Sequence, residues 1–508
     1  MAVDSSIGKG LRGCYSPLRL LAAGFLLIGS ISAAAEDPAP TESSPAPSGP
    51  NPAAIEAITL TVRALSQDPV VSTGTVGFWL ATLDKPSEPL LKQFAGQSFI
   101  PASTLKTLTT GSALELLGPD FCFETKLYHV PASGDLIIEG SGDPSLGRPS
   151  WEDLFNQWTS ALRSGGIREV TGRIVADESA WQPDEIPDGW TWQDIGNYYA
   201  PVLTPLCFHD NAFRLYFSLD GQPGAPAGFY DANPWPSNLV VVDQLLTGRP
   251  GTGDNAYVFG GPGTSRYFIR GTFAADAGKK HIRAALPDPA LFCARELTGW
   301  LNARQIPVHG QPTTTRLAKA SGFPDPLPQS GKVLVAVHRS PPLKELLIPI
   351  NHRSLNLDCE CLLRTIGQGS AGAGSRAIRK LLASRNLPLD GYLQADGSGL
   401  SRTNMITPAL LAQANAAFLT GPHGSIYLDS LPELGTTGST LGKLSVTGPA
   451  VIHAKSGTIE RVKAYTGVIA SAAGPRYCFA ILVNNYDGSF SKSVGPWLDE
   501  LFEAMAGL

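Results

Sequence analysis

Lysine and arginine never form a run longer than two residues in this sequence. The chain carries 39 of them against 44 aspartates and glutamates, a formal net charge of −5. It therefore lacks the basic face by which proteins neutralise phosphate backbones or anionic membranes, and nucleic acid is excluded as a partner. Metal signatures are missing too. The eight histidines are scattered, no His-Glu-x-x-His occurs, and the cysteine spacings match no zinc pattern. His352 and His453 are read as packing residues. No Gly-x-Gly-x-x-Gly follows a strand where a dinucleotide would need it, and 369–374 has flexible-loop composition. No cofactor and no metal are expected. Past the N-terminal leader, no uninterrupted apolar run reaches ~18 residues, so no membrane span is expected there. Internal repeats are absent.

The leader itself is a targeting signal by pattern. Lys9, Arg12 and Arg19 precede an apolar run from Leu20 to Ile31 that ends in Ala33-Ala34-Ala35. Export with cleavage near Ala35 is expected, giving a signal peptide over 1–35 and a soluble mature protein in the periplasm or cell envelope. An uncleaved anchor would leave the same domains outside the membrane. Removing three cations and Asp4 with the leader takes the net charge to −7. Residues 36–54 are rich in Pro, Ser and Ala and read as a flexible tether. Cys14 falls in the leader. The other six, Cys122, Cys207, Cys293, Cys359, Cys361 and Cys478, allow fifteen pairings among which sequence cannot choose. Cys359 and Cys361 are two apart on an expected helix and point to different sides, and buried free thiol is the reading for most.

At 508 residues, 43% hydrophobic and 16% charged, the chain is globular and too long for one ordinary core. Ile55, Ile58, Val62 and Leu65 have helical spacing, and strands follow over 76–84 and 90–95. A second helix, with Leu105, Leu108, Leu114 and Leu117 as its apolar positions, stops at Gly118-Pro119. From about Lys126 to Pro328 the texture changes to short strands between Gly/Pro turns (136–140, 170–176, 213–219, 239–242, 267–273), with one helix over 151–164. This stretch is expected to form one or two mostly β inserted domains. The tryptophans from Trp181 to Trp192 are read mainly as packing. Then come a strand over 332–338, helices over 342–351, 357–366, 370–381 and 408–419, strands over 447–458, 464–471 and 476–484, and a terminal helix over 496–505. Segments 55–125 and 329–508 together read as an α/β domain, an antiparallel sheet covered by helices on both faces.

Within that domain, three short motifs carry chemistry. Ser103 and Lys106 stand at i, i+3 at the start of the second helix, where an amine can reach a hydroxyl and the helix dipole favours negative charge. Serine is a poor nucleophile until a base takes its proton, and Lys106 is the candidate base. Ser354-Leu355-Asn356 precedes a helix, and Lys455-Ser456-Gly457-Thr458 lies in a strand. Each motif alone has a bland explanation: a helix surface, helix capping by Ser354 and Asn356, a bulge at Gly457. In this chain order, Ser-x-x-Lys, Ser-x-Asn and Lys-Ser/Thr-Gly are the signature of penicillin-recognising serine enzymes.

The sequence resembles the class C low-molecular-mass penicillin-binding proteins, exported D-alanyl-D-alanine carboxypeptidases and endopeptidases acting on peptidoglycan. Gly140–Leu146, Asp396–Arg402 and the run 454–485 are similar to segments of that family, and the resemblance extends from Ile55 to the C-terminus. Leu355 stands where many members carry Asp, Ser456 where Thr is usual, and Cys359 and Cys361 flank Glu360 where Ala-Glu is common. The resemblance implies a penicillin-binding-protein/β-lactamase-like transpeptidase fold, peptidoglycan stem peptides as substrate and β-lactams as covalent inhibitors. It also implies roles. Ser103 attacks the carbonyl between two D-amino acids, and Lys106, made partly neutral by burial and by the Lys455 cation, is the base. Ser354 relays the proton to the leaving amine, and Asn356 holds Lys106 and the substrate amide. Lys455, Ser456 and Thr458 bind the terminal carboxylate, and Gly457 lets substrate lie along the strand edge. The oxyanion is placed between the N–H groups of Ser103 and Thr458. A β-lactamase or esterase on the same scaffold is the nearest alternative; a non-catalytic peptidoglycan binder is the other. Oligomeric state is left open.

Overall fold

The computed structural model describes residues 49–508 apart from 220, 279, 323–326, 328–329 and 489–493. The expected signal peptide and most of the tether lie outside the described residues. The chain divides into two units, and the second, Pro50–Leu508, is the one described. It begins with α1 (Pro52–Gln67), which starts earlier than expected. Asn51 accepts a hydrogen bond from the Ala53 N–H at 3.1 Å, and Pro52 sits at the first helical position, so 52–54 form a helical turn rather than tether. Strands β1 (Thr75–Thr82) and β2 (Pro89–Gln93) follow. Next come a 3₁₀ turn, Ala102–Leu105, and α2 (Lys106–Leu117), which ends at Gly118 with φ 87°. The expected single apolar face of α2 is not what is seen. Every residue from Lys106 to Leu114 is buried, because threonines fill the other side and return their hydroxyls to carbonyls, Thr110 to Lys106 and Thr109 to Gly397, both at 2.7 Å.

The intervening stretch contributes β3 (Glu124–Val130), β4 (Asp135–Glu139), α3 (Glu152–Ser164), β5 (Ile174–Asp177), β6 (Ala212–Ser218), β7 (Gly228–Asn233) and β8 (Val240–Gly248). It continues through β9 (Asp254–Phe259), β10 (Arg266–Ala274), β11 (Lys280–Ala285), α4 (Pro289–Ala303), β12 (Thr313–Thr314), α5 (Thr315–Ala320) and β13 (Val333–Arg339). Three sheets result, ordered β12-β5-β4-β3-β13, β11-β6-β7 and β8-β10-β9. One core serves them, with Phe155, Trp158 and Leu162 of α3 and Leu297 and Leu301 of α4 packed around Phe208 and Phe213. The strand expected at 332–338 as part of the enclosing domain instead pairs antiparallel with β3, Arg339 opposite Glu124. The excursion thus leaves and returns at one point, so it can be accommodated without parting the elements on either side.

The return supplies α6 (Leu343–Arg353), α7 (Asn356–Ile366), α8 (Ala371–Ser384), α9 (Pro408–Leu419), α10 (Gly424–Ser430), β14 (Val451–Ile459), β15 (Val462–Ser471), β16 (Gly474–Asn484) and α11 (Val494–Ala506). An antiparallel sheet ordered β14-β15-β16-β1-β2 is the centre of this part. Alternation sorts its side chains. Phe78, Leu80, Ile481 and Val483 meet Ile58, Val62 and Leu65 of α1 and Leu498, Leu501 and Phe502 of α11. Trp79, Ala81, Ala480 and Leu482 meet Leu108 of α2 and Leu410, Leu411 and Ala414 of α9. Each such fully buried large side chain contributes roughly 1.5–3 kcal/mol of apolar transfer. The sheet is therefore anchored on both faces, and its β14 edge lies against the Ser103 turn.

Candidate active site

Two close backbone approaches fix the Ser103 turn. A Cβ on Gly457 would sit 2.7 Å from the Pro101 carbonyl oxygen and 3.0 Å from the N–H nitrogens of Ser103 and Thr104. One on Gly399 would sit 1.9 Å from the Ala102 carbonyl oxygen. Glycine is required at both, and Ala102 between them has φ 47°. The nucleophile turn is clamped between β14 and the loop at 396–402.

Ser103 precedes α2, in the 3₁₀ turn, while Lys106 is the first residue of the helix proper. Lys106 Nζ donates to Ser103 Oγ at 2.9 Å, to Asn356 Oδ1 at 2.6 Å and to the Ser398 carbonyl at 2.6 Å. Three acceptors use all three protons of an ammonium. Lys106 is fully buried, and this burial lowers its pKa, opposed by Cys359, Asp396, Glu360 and Asp358. Lys455, also fully buried, donates to the Ser456 carbonyl at 2.7 Å. Its pKa is held well down, first by burial and then by the Lys106 charge. Neither lysine lines the cleft; both stand behind its wall.

The cleft, about 450 Å³, is lined by Ser103, Ser354, Asn356, Ser456 and Thr458 among others. Ser354 ends α6 in the left-handed conformation, φ 60° and ψ 50°, and Asn356 opens α7 two residues later. Neither caps α7: its N-cap is Leu355, with no side-chain bond. Asn356 spans two regions, accepting from Lys106 and donating Nδ2 to the Tyr199 carbonyl at 2.6 Å. Ser456 Oγ donates to Thr440 Oγ1 at 2.8 Å.

Several groups here went unassigned in the sequence. Lys463 lies opposite Thr458 in the β14–β15 pairing, lines the cleft and donates to Thr458 Oγ1 at 2.8 Å. Burial brings its pKa down to about 8. Strand alternation across the hairpin would have found it. Behind Ser398 stand two buried carboxylates. Glu360 accepts from the N–H groups of Gly397 and Ser398 at 3.0 and 2.9 Å, and pairs with Arg364 at 3.1 Å. Burial, then the Asp396 charge, push its carboxyl up to about 7. Asp396 accepts from Gly399 and Ser401 N–H, Asn404 Nδ2 and Trp190 Nε1 at 2.6–2.9 Å. The family-like segment 396–402 thus aims one carbonyl at Lys106. The opposite wall is made by Gln193, Asp194, Tyr198, Tyr199 and Tyr257 of the insert. In the tryptophan-rich stretch, Trp181 and Trp190 pack, and the residues just after it reach the cleft.

The six described cysteines are free thiols. Cys359 and Cys361 fall in different core clusters, and Cys361 Sγ lies 3.6 Å from Cys207 Sγ of the insert.

Known proteins share this architecture. A structure of penicillin binding protein 4 (dacB) from Haemophilus influenzae superposes with TM-score 0.72 at 22% identity, covering 87% of this chain and 97% of that one. A second, complexed with a β-lactam, gives TM-score 0.67 at 20% identity, with 87% and 98% covered. The fold is thus the penicillin-binding-protein fold. In sequence, a D-alanyl-D-alanine carboxypeptidase of Actinomadura sp. (strain R39) is 27% identical over 461 residues, 84% of this chain and 81% of the relative. The model of the D-Ala-D-Ala carboxypeptidase 3 (S13) family matches residues 58–504, and the chain belongs to that family.

Proposed function

We propose that this protein is a serine D-alanyl-D-alanine carboxypeptidase/endopeptidase that cleaves peptidoglycan stem peptides through an acyl-enzyme on Ser103 and is covalently inhibited by penicillins. The observation that carries this reading is the Lys106 amine 2.9 Å from Ser103 Oγ, buried and held by Asn356 and Ser398 at a cleft wall. Neutral Lys106 takes the hydroxyl proton as Ser103 attacks the carbonyl between two D-amino acids. The tetrahedral oxyanion is stabilised by the N–H groups of Ser103 and Thr458. Ser354, on the same cleft wall, passes a proton to the leaving amine. Water then hydrolyses the acyl-enzyme. The substrate's terminal carboxylate rests on the hydroxyls of Ser456 and Thr458. Lys463 supplies charge from the front and Lys455 from behind. Asn356 keeps the Lys106 amine on line with Ser103.

The leader fits an exported protein of the cell envelope, where this substrate is found; among the described residues no helix is long and apolar enough to cross a membrane. Incubation with a fluorescent penicillin tests the reading. A covalent band that is absent from Ser103→Ala, with D-alanine released from a D-Ala-D-Ala peptide, is expected. An adduct decaying within seconds would make a β-lactamase of it. A folded protein that neither labels nor turns over either compound would overturn the assignment in favour of a binding protein.

A further inference from the structure

Beside the cleft lies a second pocket of about 240 Å³, lined by Arg148, Arg214, Arg283, Arg353, His209 and Asp210 among others. Its charges do not balance. Arg148 donates both terminal nitrogens to Asp358, at 2.8 and 2.9 Å, and its Nε to Asp210. Arg283 shares Asp210 at 3.3 Å. Those two carboxylates are thereby used by two arginines. Arg214 and Arg353 have no ion-pair partner among the described residues. Burial and the charges of Arg214 and Arg283 act to keep His209 neutral, against Asp210. Two positive charges are left over. Guanidinium groups gathered at a concave surface without counter-charge raise the local potential and favour an oxyanion able to take several N–H donors at once.

The pocket is tied to the catalytic cleft at two points. Arg353 lines both and is the residue before Ser354. Arg283 lies over the ring of Tyr198, 4.3 Å from its centroid, and Tyr198 lines the cleft. A ligand extended in the cleft can therefore reach the pocket.

We propose that the pocket around Arg214, Arg283 and Arg353 is an oxyanion subsite that takes a carboxylate or phosphate group carried by the substrate at a distance from its scissile bond. The proposal rests on the peptidase reading for the identity of the substrate, but the site itself does not. It predicts that cross-linked or polymeric wall fragments, which bring additional anionic groups, are held more tightly than a short neutral-capped peptide.

The test has two arms. In the first, inorganic phosphate is titrated into the full-length protein at constant ionic strength, with chloride as control, and the melting temperature is followed. Wild type should show a saturable rise. Arg214→Gln should weaken it about tenfold, as loss of one charge-assisted hydrogen bond implies, and Arg214→Glu should remove it. Arg214 is exposed and off the cleft lining, so both variants should label with penicillin at the wild-type rate. No saturable rise in wild type, or an unchanged one in Arg214→Glu, would leave a solvated arginine cluster only and overturn the site. In the second arm, Arg214→Gln should raise KM about tenfold for a cross-linked muropeptide, with kcat unchanged, and leave KM for an N-acylated, otherwise uncharged D-Ala-D-Ala peptide where it was. Equal KM values for the muropeptide in variant and wild type, with phosphate binding intact, would overturn the substrate and leave a site for free or other polymer-borne phosphate. Failure of the peptidase reading itself would show differently, as no penicillin adduct on a protein that still binds phosphate.

Discussion

The two walls of the cleft are built on opposite principles. One wall, from the enclosing domain, holds Ser103, Ser354, Asn356, Ser456 and Thr458, each within a short motif at a helix start or on a strand. The other, from the insert, holds Gln193, Asp194, Tyr198, Tyr199 and Tyr257, set on irregular chain and on β9. Chemistry requires fixed spacing between a few groups, so it resides on regular elements at short sequence intervals. Contact with the rest of a substrate does not, and it is delegated to loops that a rigid scaffold presents. Hydrogen bonds tie the walls together: the Asn356 amide joins Lys106 to the Tyr199 carbonyl, Trp190 donates to Asp396, and Ser401 donates to the Asp188 carbonyl.

This contrast predicts a gradient of damage. Lys106→Met should lower the rate of penicillin acylation by about 10²–10⁴-fold, the range for a positioned general base, with the fold retained by circular dichroism. Labelling at the wild-type rate would move the base elsewhere. Gly457→Ala comes next: its new Cβ meets backbone, not a flexible side chain, so the Ser103 turn must shift, and a misplacement of about 1 Å costs about 10²-fold in rate. The pH dependence follows from the lysines. Lys106 must be neutral to accept a proton and its pKa is lowered by burial, so acylation should rise with pH through that lowered value, below the pH at which an ordinary lysine titrates. Stability should move the same way. Between the depressed folded pKa values of Lys106 and Lys455 and the unfolded value of 10.5, the unfolded chain binds more protons, so raising the pH through that window stabilises the fold. Melting curves across the window should slope upward, and Lys455→Met should flatten them.

Much of the enclosing domain was legible because its signals are local. The helix over 408–419 has Pro408 at its first position and Thr407 accepting from the Leu410 N–H at 3.1 Å, and strands β15 and β16 are long apolar runs buried on both faces. The insert was read less fully. Strand β7 is mostly exposed, and β9 opens on exposed Asp254 and Asn255 with Val258 as its one buried residue, so neither shows a clean buried-exposed alternation. Helix α4 carried a sign that went unused, Asp288 before Pro289 with its side chain accepting from the Leu291 N–H at 2.9 Å. At the site, the side chains of the three motifs could be named from spacing. The Ser398 and Tyr199 carbonyls could not, since a backbone oxygen has no residue type, and Lys106 depends on Ser398 as directly as on Asn356.

The insert wall supplies the smallest predicted effects. Asp194→Asn keeps an acceptor for Thr191 Oγ1, at 2.6 Å in the wild type, and removes the charge from the cleft. It should alter KM for stem peptides while changing penicillin labelling by less than about threefold, because a surface-lining charge is largely screened. Trp190→Phe is subtler still. It deletes one of the bonds to Asp396, leaving four other donors on that carboxylate, and should cost about 1.5–3 kcal/mol of stability, the worth of a hydrogen bond to a charged group. Glu360 still fixes the Gly397 and Ser398 N–H groups, so the Ser398 carbonyl should stay on Lys106 and labelling should fall only a few-fold. A loss as large as that expected of Lys106→Met would mean that the insert, through Trp190 and Asp396, holds the general base as firmly as the motif does, and the division between the two walls would not stand.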